Sequence, residues 1–159
     1  MYNPFSLIGK TILVTGASSG IGRATAVECS KMGAKLILTG RNEDRLQQTL
    51  HLLEGDDHLL FSCDLAQEDD IKVFCAQLPN NIDGIAHCAG ISSLKPIIGL
   101  NTQNLQDIFC NNYYAPVLLT KYLVKSKKLQ QGASLVYVGS ISGISNVATA
   151  LSAYGSSKS

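Results

Sequence analysis

The chain comprises 159 residues, 45% of them hydrophobic and 16% charged, and its 13 basic and 12 acidic side chains leave a formal charge of +1. One domain with a substantial buried core fits that length. The apolar content excludes an intrinsically disordered chain, and the balanced charge excludes a polyanion binder that works by bulk electrostatics. No run approaches the ~18 uninterrupted apolar residues of a membrane span, and residues 1–5 lack the basic and apolar regions of a signal peptide. The cysteines, Cys29, Cys63, Cys75, Cys88 and Cys110, are scattered and include no Cys-x-x-Cys pair. Neither a disulfide framework nor a zinc site is expected from that spacing. The expectation is a cytoplasmic protein with buried, reduced thiols and no metal, nucleic-acid or membrane partner.

Residues 11–14 form a short β-branched run that ends in the turn-rich segment Thr15-Gly16-Ala17-Ser18-Ser19-Gly20, which predicts a strand entering a loop. A helical pattern follows over 21–32, with Ile21, Ala24, Val27 and Cys29 expected on its buried face and Gly33 as its stop. Residues 35–38 read as a second strand, and Asn42 is placed to cap a helix carrying Leu46, Leu50 and Leu53. A third strand at 59–63 precedes the acidic helix start Glu68-Asp69-Asp70, and that helix runs through Ile71 and Phe74 until Pro79 ends it. Residues 85–88 are a fourth strand, one long helix is predicted from about 102 to 125, and 134–138 make a fifth strand. Apolar strands alternating with helices predict a doubly wound α/β domain, a parallel sheet between two helical layers.

Gly16-x-x-x-Gly20-x-Gly22 falls where the first strand meets the first helix. A phosphate is held by exposed backbone N–H groups at the positive end of a helix dipole. Glycines let the backbone approach a pyrophosphate, and Ser18 and Ser19 add hydroxyl donors. The plain alternative is a turn that needs its glycines only for strand-to-helix packing. Gly9-Lys10-Thr11 mimics the end of a Walker A loop, but Pro4 occupies the first glycine position and the segment precedes the first strand, which excludes a P-loop.

Thr15-Gly-Ala-Ser-Ser-Gly-Ile-Gly22 resembles the cofactor loop of the short-chain dehydrogenases/reductases, and segments similar to that family's other motifs follow in order. These are Asp64-Leu65 after the third strand, His87-Cys88-Ala89-Gly90 where the family reads Asn-Asn-Ala-Gly, Asn112-Tyr-Tyr-Ala-Pro116, Gly139-Ser140-Ile-Ser-Gly143, and Tyr154-x-x-x-Lys158. The resemblance implies a Rossmann-type fold, one NAD(P)-binding domain over residues 1–159, and an oxidoreductase that interconverts a carbonyl and an alcohol. A small-molecule or acyl-thioester carbonyl substrate is implied, as in 3-oxoacyl-[acyl-carrier-protein] reductases. Cofactor contacts fall on Gly16, Ser18, Ser19, Gly20, Ile21, Gly22, Asp64, Leu65, Ala89, Gly90, Tyr154 and Lys158. Tyr154 is implied as general acid/base, Lys158 as its partner and a ribose contact, Ser140 as a donor to the substrate oxygen, and Asn112 as holder of a water in the proton path. Ser142 and Asn111 are neighbours open to the same two roles.

That chemistry is physically consistent. A phenol with a pKa near 10 exchanges protons too slowly at neutrality, a nearby ammonium favours its ionised form, and a four-residue spacing puts both groups on one helix face. Gly40-Arg41 ends the second strand, where an acidic residue would mark NAD. A guanidinium suits a 2′-phosphate, so Arg41 points to NADP, with NAD as the alternative and a surface pair with Glu43 or Asp44 as the plain reading. His87 and Cys88, adjacent on a strand, face opposite ways and form no dyad.

By the same resemblance, further strands and a substrate-covering segment would follow residue 159. The fifth strand is then an open edge, and Tyr154 and Lys158 stand on a helix too short to hold itself. Two readings follow: an NADP-dependent carbonyl reductase, and a non-catalytic dinucleotide-binding module. The apolar residues Ile108, Phe109, Val117, Leu118, Leu119 and Leu123 look too widely spread for one buried stripe, which predicts a homo-oligomer built on the long helix.

Overall fold

In the computed structural model, which describes residues 3–145 and 149–159, the apolar runs become five parallel strands. They are β1 (Thr11–Thr15), β2 (Lys35–Gly40), β3 (Leu59–Ser62), β4 (Ile82–His87) and β5 (Leu129–Tyr137), in sheet order β3-β2-β1-β4-β5. Met1 and Tyr2 of the amino-terminal stretch lie outside the described residues. The helices are α1 (Gly20–Lys31), α2 (Glu43–Leu50), α3 (Glu68–Gln77), α4 (Thr102–Phe109), α5 (Ala115–Lys125) and α6 (Ser152–Ser157).

Alternation along each strand builds two cores. Val14, Leu36, Leu38 and Ala86 meet Ala26 of α1 and Leu46 of α2 on one face. Leu13, Ile37 and Ile85 meet Ile71 and Phe74 of α3 and Leu119 and Leu123 of α5 on the other. Successive residues thus serve opposite layers, which is the doubly wound arrangement expected of this sequence. The strand order reverses between β1 and β4, and a crevice opens there above the carboxyl ends of the strands.

Several local expectations need correction. The buried face of α1 is Gly22, Ala26 and Ser30; Ile21 is 62% exposed, Ala24 is exposed, and Val27 and Cys29 are half-buried. Small residues win that face because the helix lies close to the sheet, and a larger one would hold it off. Asn42 does cap α2, accepting from Arg45 N at 2.8 Å. The helix ends at Leu50, so Leu53 packs on the core from the following turn. Gly33 closes α1 with φ +89°, a left-handed conformation that glycine adopts without strain. β4 starts three residues earlier than expected and ends at His87, so Cys88 lies just past it. β5 also starts earlier, at Leu129, through the polar stretch Gln130-Gln131-Gly132, where its register against β4 shifts.

The predicted long helix is α4 and α5 joined by a π-helical segment, Cys110–Tyr114. Pro116 lacks the N–H that an α-helix would donate to the Asn112 carbonyl, and the wider turn lies directly before it. Of the six apolar residues expected to over-fill this helix, Ile108, Leu119 and Leu123 are buried, Phe109 and Leu118 are half-buried, and only Val117 is exposed. The exposed apolar face is instead Tyr113, Tyr114, Val117 and Val124. Among the described residues no strand pairs with the outer edge of β5, and Val136 and Tyr137 are 57% and 51% exposed. None of the described helices is long and apolar enough to cross a membrane.

Candidate active site

The crevice encloses about 470 Å³, within the range of small-molecule and cofactor sites. Its floor is the turn between β1 and α1. Gly16 has φ +65°, and a Cβ there would stand 2.8 Å from the Ala89 Cα, so this turn rests directly on the segment after β4. Ala89 N donates to Thr15 Oγ1 at 3.0 Å and fastens the two together. A Cβ on Gly22 would overlap the Gly16 carbonyl; its absence lets the first turn of α1 tuck beneath the loop. No acidic side chain stands in that first turn, and Ser19 at the N-cap makes no side-chain cap bond. The positive end of α1 therefore opens into the crevice, a setting that suits a phosphate.

Past the end of β2 the wall is Gly40, Arg41, Asn42 and Arg45. Both Arg41 and Arg45 are exposed, and among the described residues no arginine takes part in an ion pair. The surface pairing of Arg41 with Glu43 or Asp44 is thus absent. Arg23 acts as a tie instead. Its guanidinium donates to Ser18 O at 2.7 Å and to Thr49 Oγ1 at 2.9 Å, joining the glycine turn to α2. Beyond β3 the wall continues as Cys63, Asp64 and Leu65, and Asp64 Oδ1 accepts from Ala66 N to hold its turn. The donor set fits a dinucleotide: backbone amides and a helix end for the pyrophosphate, with cationic side chains at one extremity.

Ala89, Gly90, Ile91, Ser92, Val138, Gly139, Tyr154 and Lys158 line the other end. Lys158 follows α6, and its ammonium donates to the Val138 carbonyl at 2.9 Å. Burial pulls its pKa below the ordinary lysine value, and the nearby Cys88 thiol opposes that shift. Tyr154 is half-buried and, among the described residues, its hydroxyl has no hydrogen-bond partner.

Every residue that the sequence assigns to the cofactor lines the crevice. Ser140 and Asn112 do not. Ser140 caps the short turn Ile141–Gly143, its hydroxyl accepting from Ser142 N at 3.2 Å. Asn112 is 6% exposed and engaged at both ends of its amide: Oδ1 accepts from Ile91 N at 2.8 Å, and Nδ2 donates to Ile91 O and to Ser157 Oγ, each at 2.9 Å. Both of its side-chain N–H groups are spent within the protein, so it has none to offer a water. Asn111 does line the crevice, although its amide donates to Asp107 O.

His87 and Cys88 separate as expected. His87 stacks on Tyr137 at 4.6 Å and shares a 3.1 Å hydrogen bond with Thr120 on the α5 side. Cys88 turns its thiol towards Thr25 of α1 and edges the crevice. Sequence reasoning missed Arg45 and Asn42 as lining residues. The signal was available, because Asn42 caps α2 and so fixes its first turn, with Arg45, beside the end of β2.

The family model described as short chain dehydrogenase matches residues 10–159. The chain is 32% identical over 138 residues to the 3-oxoacyl-[acyl-carrier-protein] reductase FabG of Rickettsia prowazekii (strain Madrid E), covering 87% of this chain and 56% of that one. It is 29% identical over 150 residues to the 3-ketodihydrosphingosine reductase of Bos taurus, covering 88% and 45%. A solved short-chain dehydrogenase from Shigella flexneri 2a str. 301, complexed with NADP, superimposes with a TM-score of 0.86 at 32% identity, covering 98% of this chain and 69% of that one. The chain spans about half the length of the curated relatives it matches.

Proposed function

The chain belongs to the short-chain dehydrogenase family, and from that premise we propose that it is an NADP-dependent oxidoreductase interconverting a carbonyl and an alcohol. One observation carries the reading: a crevice with a glycine turn and an open helix end at one side and Tyr154 with Lys158 at the other. Bound NADP(H) would supply the hydride donor or acceptor. Gly16, Ser18, Ser19, Gly20, Ile21 and Gly22 would hold its pyrophosphate, Arg41 with Arg45 its 2′-phosphate, and Asp64 with Leu65 its adenine end.

Tyr154 gives its hydroxyl proton to the carbonyl oxygen on reduction and takes it back on oxidation. Lys158 holds a positive charge beside that exchange while its bond to Val138 fixes where the charge sits. Ser140 accepts from Ser142 N with its oxygen, which leaves its O–H to donate to the substrate oxygen and stabilise the charge that develops there. Asn112 serves by clamping the backbone at Ile91, which shapes the wall next to Gly90. The relatives' names support a carbonyl on an acyl or long-chain skeleton, and 3-oxoacyl thioesters head the substrate series. Homo-oligomers would form through Tyr113, Val117 and Val124.

A non-catalytic dinucleotide-binding role is the second reading, favoured by the Ser140 hydroxyl being engaged as a cap outside the crevice. NADPH titration followed by turnover of a panel of 3-oxoacyl thioesters and simple ketones separates the two. Binding with turnover supports the enzyme, binding without it supports the module, and no binding overturns both.

A further inference from the structure

The helix that bears Tyr154 has six residues, fewer than an isolated helix needs to persist in water. Its place must be set by contacts from outside. Ser157 lies in its last turn, between the two functional side chains in sequence, and is 4% exposed. The Ser157 hydroxyl donates to the Tyr154 carbonyl at 2.8 Å and accepts from Asn112 Nδ2 at 2.9 Å. Asn112 in turn holds both backbone polar groups of Ile91. One amide and one hydroxyl therefore join the π-helical segment, the loop after β4 and the last turn of α6. The junction borders Lys158 directly: a Cβ on Gly90 would stand 3.1 Å from Asn112 Oδ1 and 3.2 Å from Lys158 Nζ.

We propose that Ser157 is a positioning residue, whose hydroxyl locks the turn carrying Tyr154 and Lys158 to the Asn112 clamp. The assignment rests on the carbonyl-oxidoreductase reading. Removing the hydroxyl strands one buried N–H of Asn112 and frees the turn to shift, and small misplacements of reacting groups are costly in rate. The glycine turn and the arginines lie elsewhere in the crevice, so the pyrophosphate and 2′-phosphate contacts do not depend on this lock, and only the ribose contact of Lys158 does.

The test is Ser157→Ala in the complete protein, with kcat per folded molecule, substrate KM and NADPH affinity measured together. The expected result is a kcat lower by about 10- to 100-fold, with NADPH affinity changed far less than kcat, and restoration of kcat by Ser157→Thr. An unchanged kcat, or a loss that threonine leaves unrestored, overturns the proposal. If the alanine variant does not fold, Ser157→Cys fills the same space with a weak hydrogen-bonding group, and normal turnover in it overturns the proposal equally. A parent protein that neither binds NADPH nor turns over any carbonyl defeats the underlying reading instead. A parent that does both, with an indifferent Ser157→Ala, defeats this inference alone.

Discussion

On the proposed reading, Arg41 and Arg45 carry the cofactor choice at the level of single residues. Both line the crevice past β2, and neither has a carboxylate partner among the described residues. A guanidinium grips a phosphate with parallel donors that a ribose hydroxyl cannot use. The Arg41→Ala, Arg45→Ala double variant should therefore bind NADPH more weakly by about 10-fold or more while NADH affinity stays close to the parent's, since a hydrogen bond to a charged group is worth ~1.5–3 kcal/mol. Fluorescence titration of both cofactors checks it, and a parallel loss for both would contradict the assignment. Arg41 was legible because it directly follows an apolar strand. Arg45 was legible only at one remove, through the Asn42 cap that fixes the first turn of α2 beside the end of β2.

His87 supplies a pH dependence. Burial pushes its pKa down from 6.5 to about 4, so the folded chain resists a proton that the unfolded chain accepts. The contribution to stability is complete above about pH 6.5 and is lost as pH falls towards about 4. His87→Gln should flatten the stability profile over that interval, by an amount on the order of 3 kcal/mol between its ends. Thermal melts of both proteins across the interval read it directly, and superimposable acid limbs would show that His87 is not the group responsible.

Among the elements, α1 makes the sharpest demand. A Cβ on Gly22 would overlap the Gly16 carbonyl and lie 2.9 Å from Thr15 O, backbone atoms that cannot move without rebuilding the turn. Gly22→Ala should cost about 1–3 kcal/mol, the ordinary range for overpacking, whereas Gly99→Ala meets nothing within 4 Å and should be near neutral. Urea midpoints for the pair test this, and equal midpoints would remove the packing argument. Strand and helix existence was readable because apolar runs and capping residues are local signals. The buried face of α1 was not, since periodicity favours large apolar residues and the close approach to the sheet selects Gly22, Ala26 and Ser30. The π-helical segment was likewise hidden: Pro116 was visible in the sequence, but its effect depends on α4 and α5 remaining one packed unit.

For the whole molecule, the cofactor half of the site was more legible than the reacting half. Most of the residues assigned to the cofactor sit at strand ends or in the first turn of α1, and all of them line the crevice. Ser140 and Asn112 were recognisable by motif, yet the Ser140 oxygen accepts from Ser142 N and the Asn112 amide is taken up by Ile91 and Ser157, through contacts that no spacing encodes. On the proposed reading, function is divided between a nucleotide platform at the strand ends and a short helix bearing Tyr154 that is held in place from outside. Tyr154→Phe tests that division most directly, because it removes one hydroxyl and leaves the ring packing in place. In the complete protein, steady-state NADPH consumption with a 3-oxoacyl substrate should fall by about 10²–10⁴-fold, with NADPH affinity unchanged. Near-normal turnover in the Tyr154→Phe protein would contradict the account.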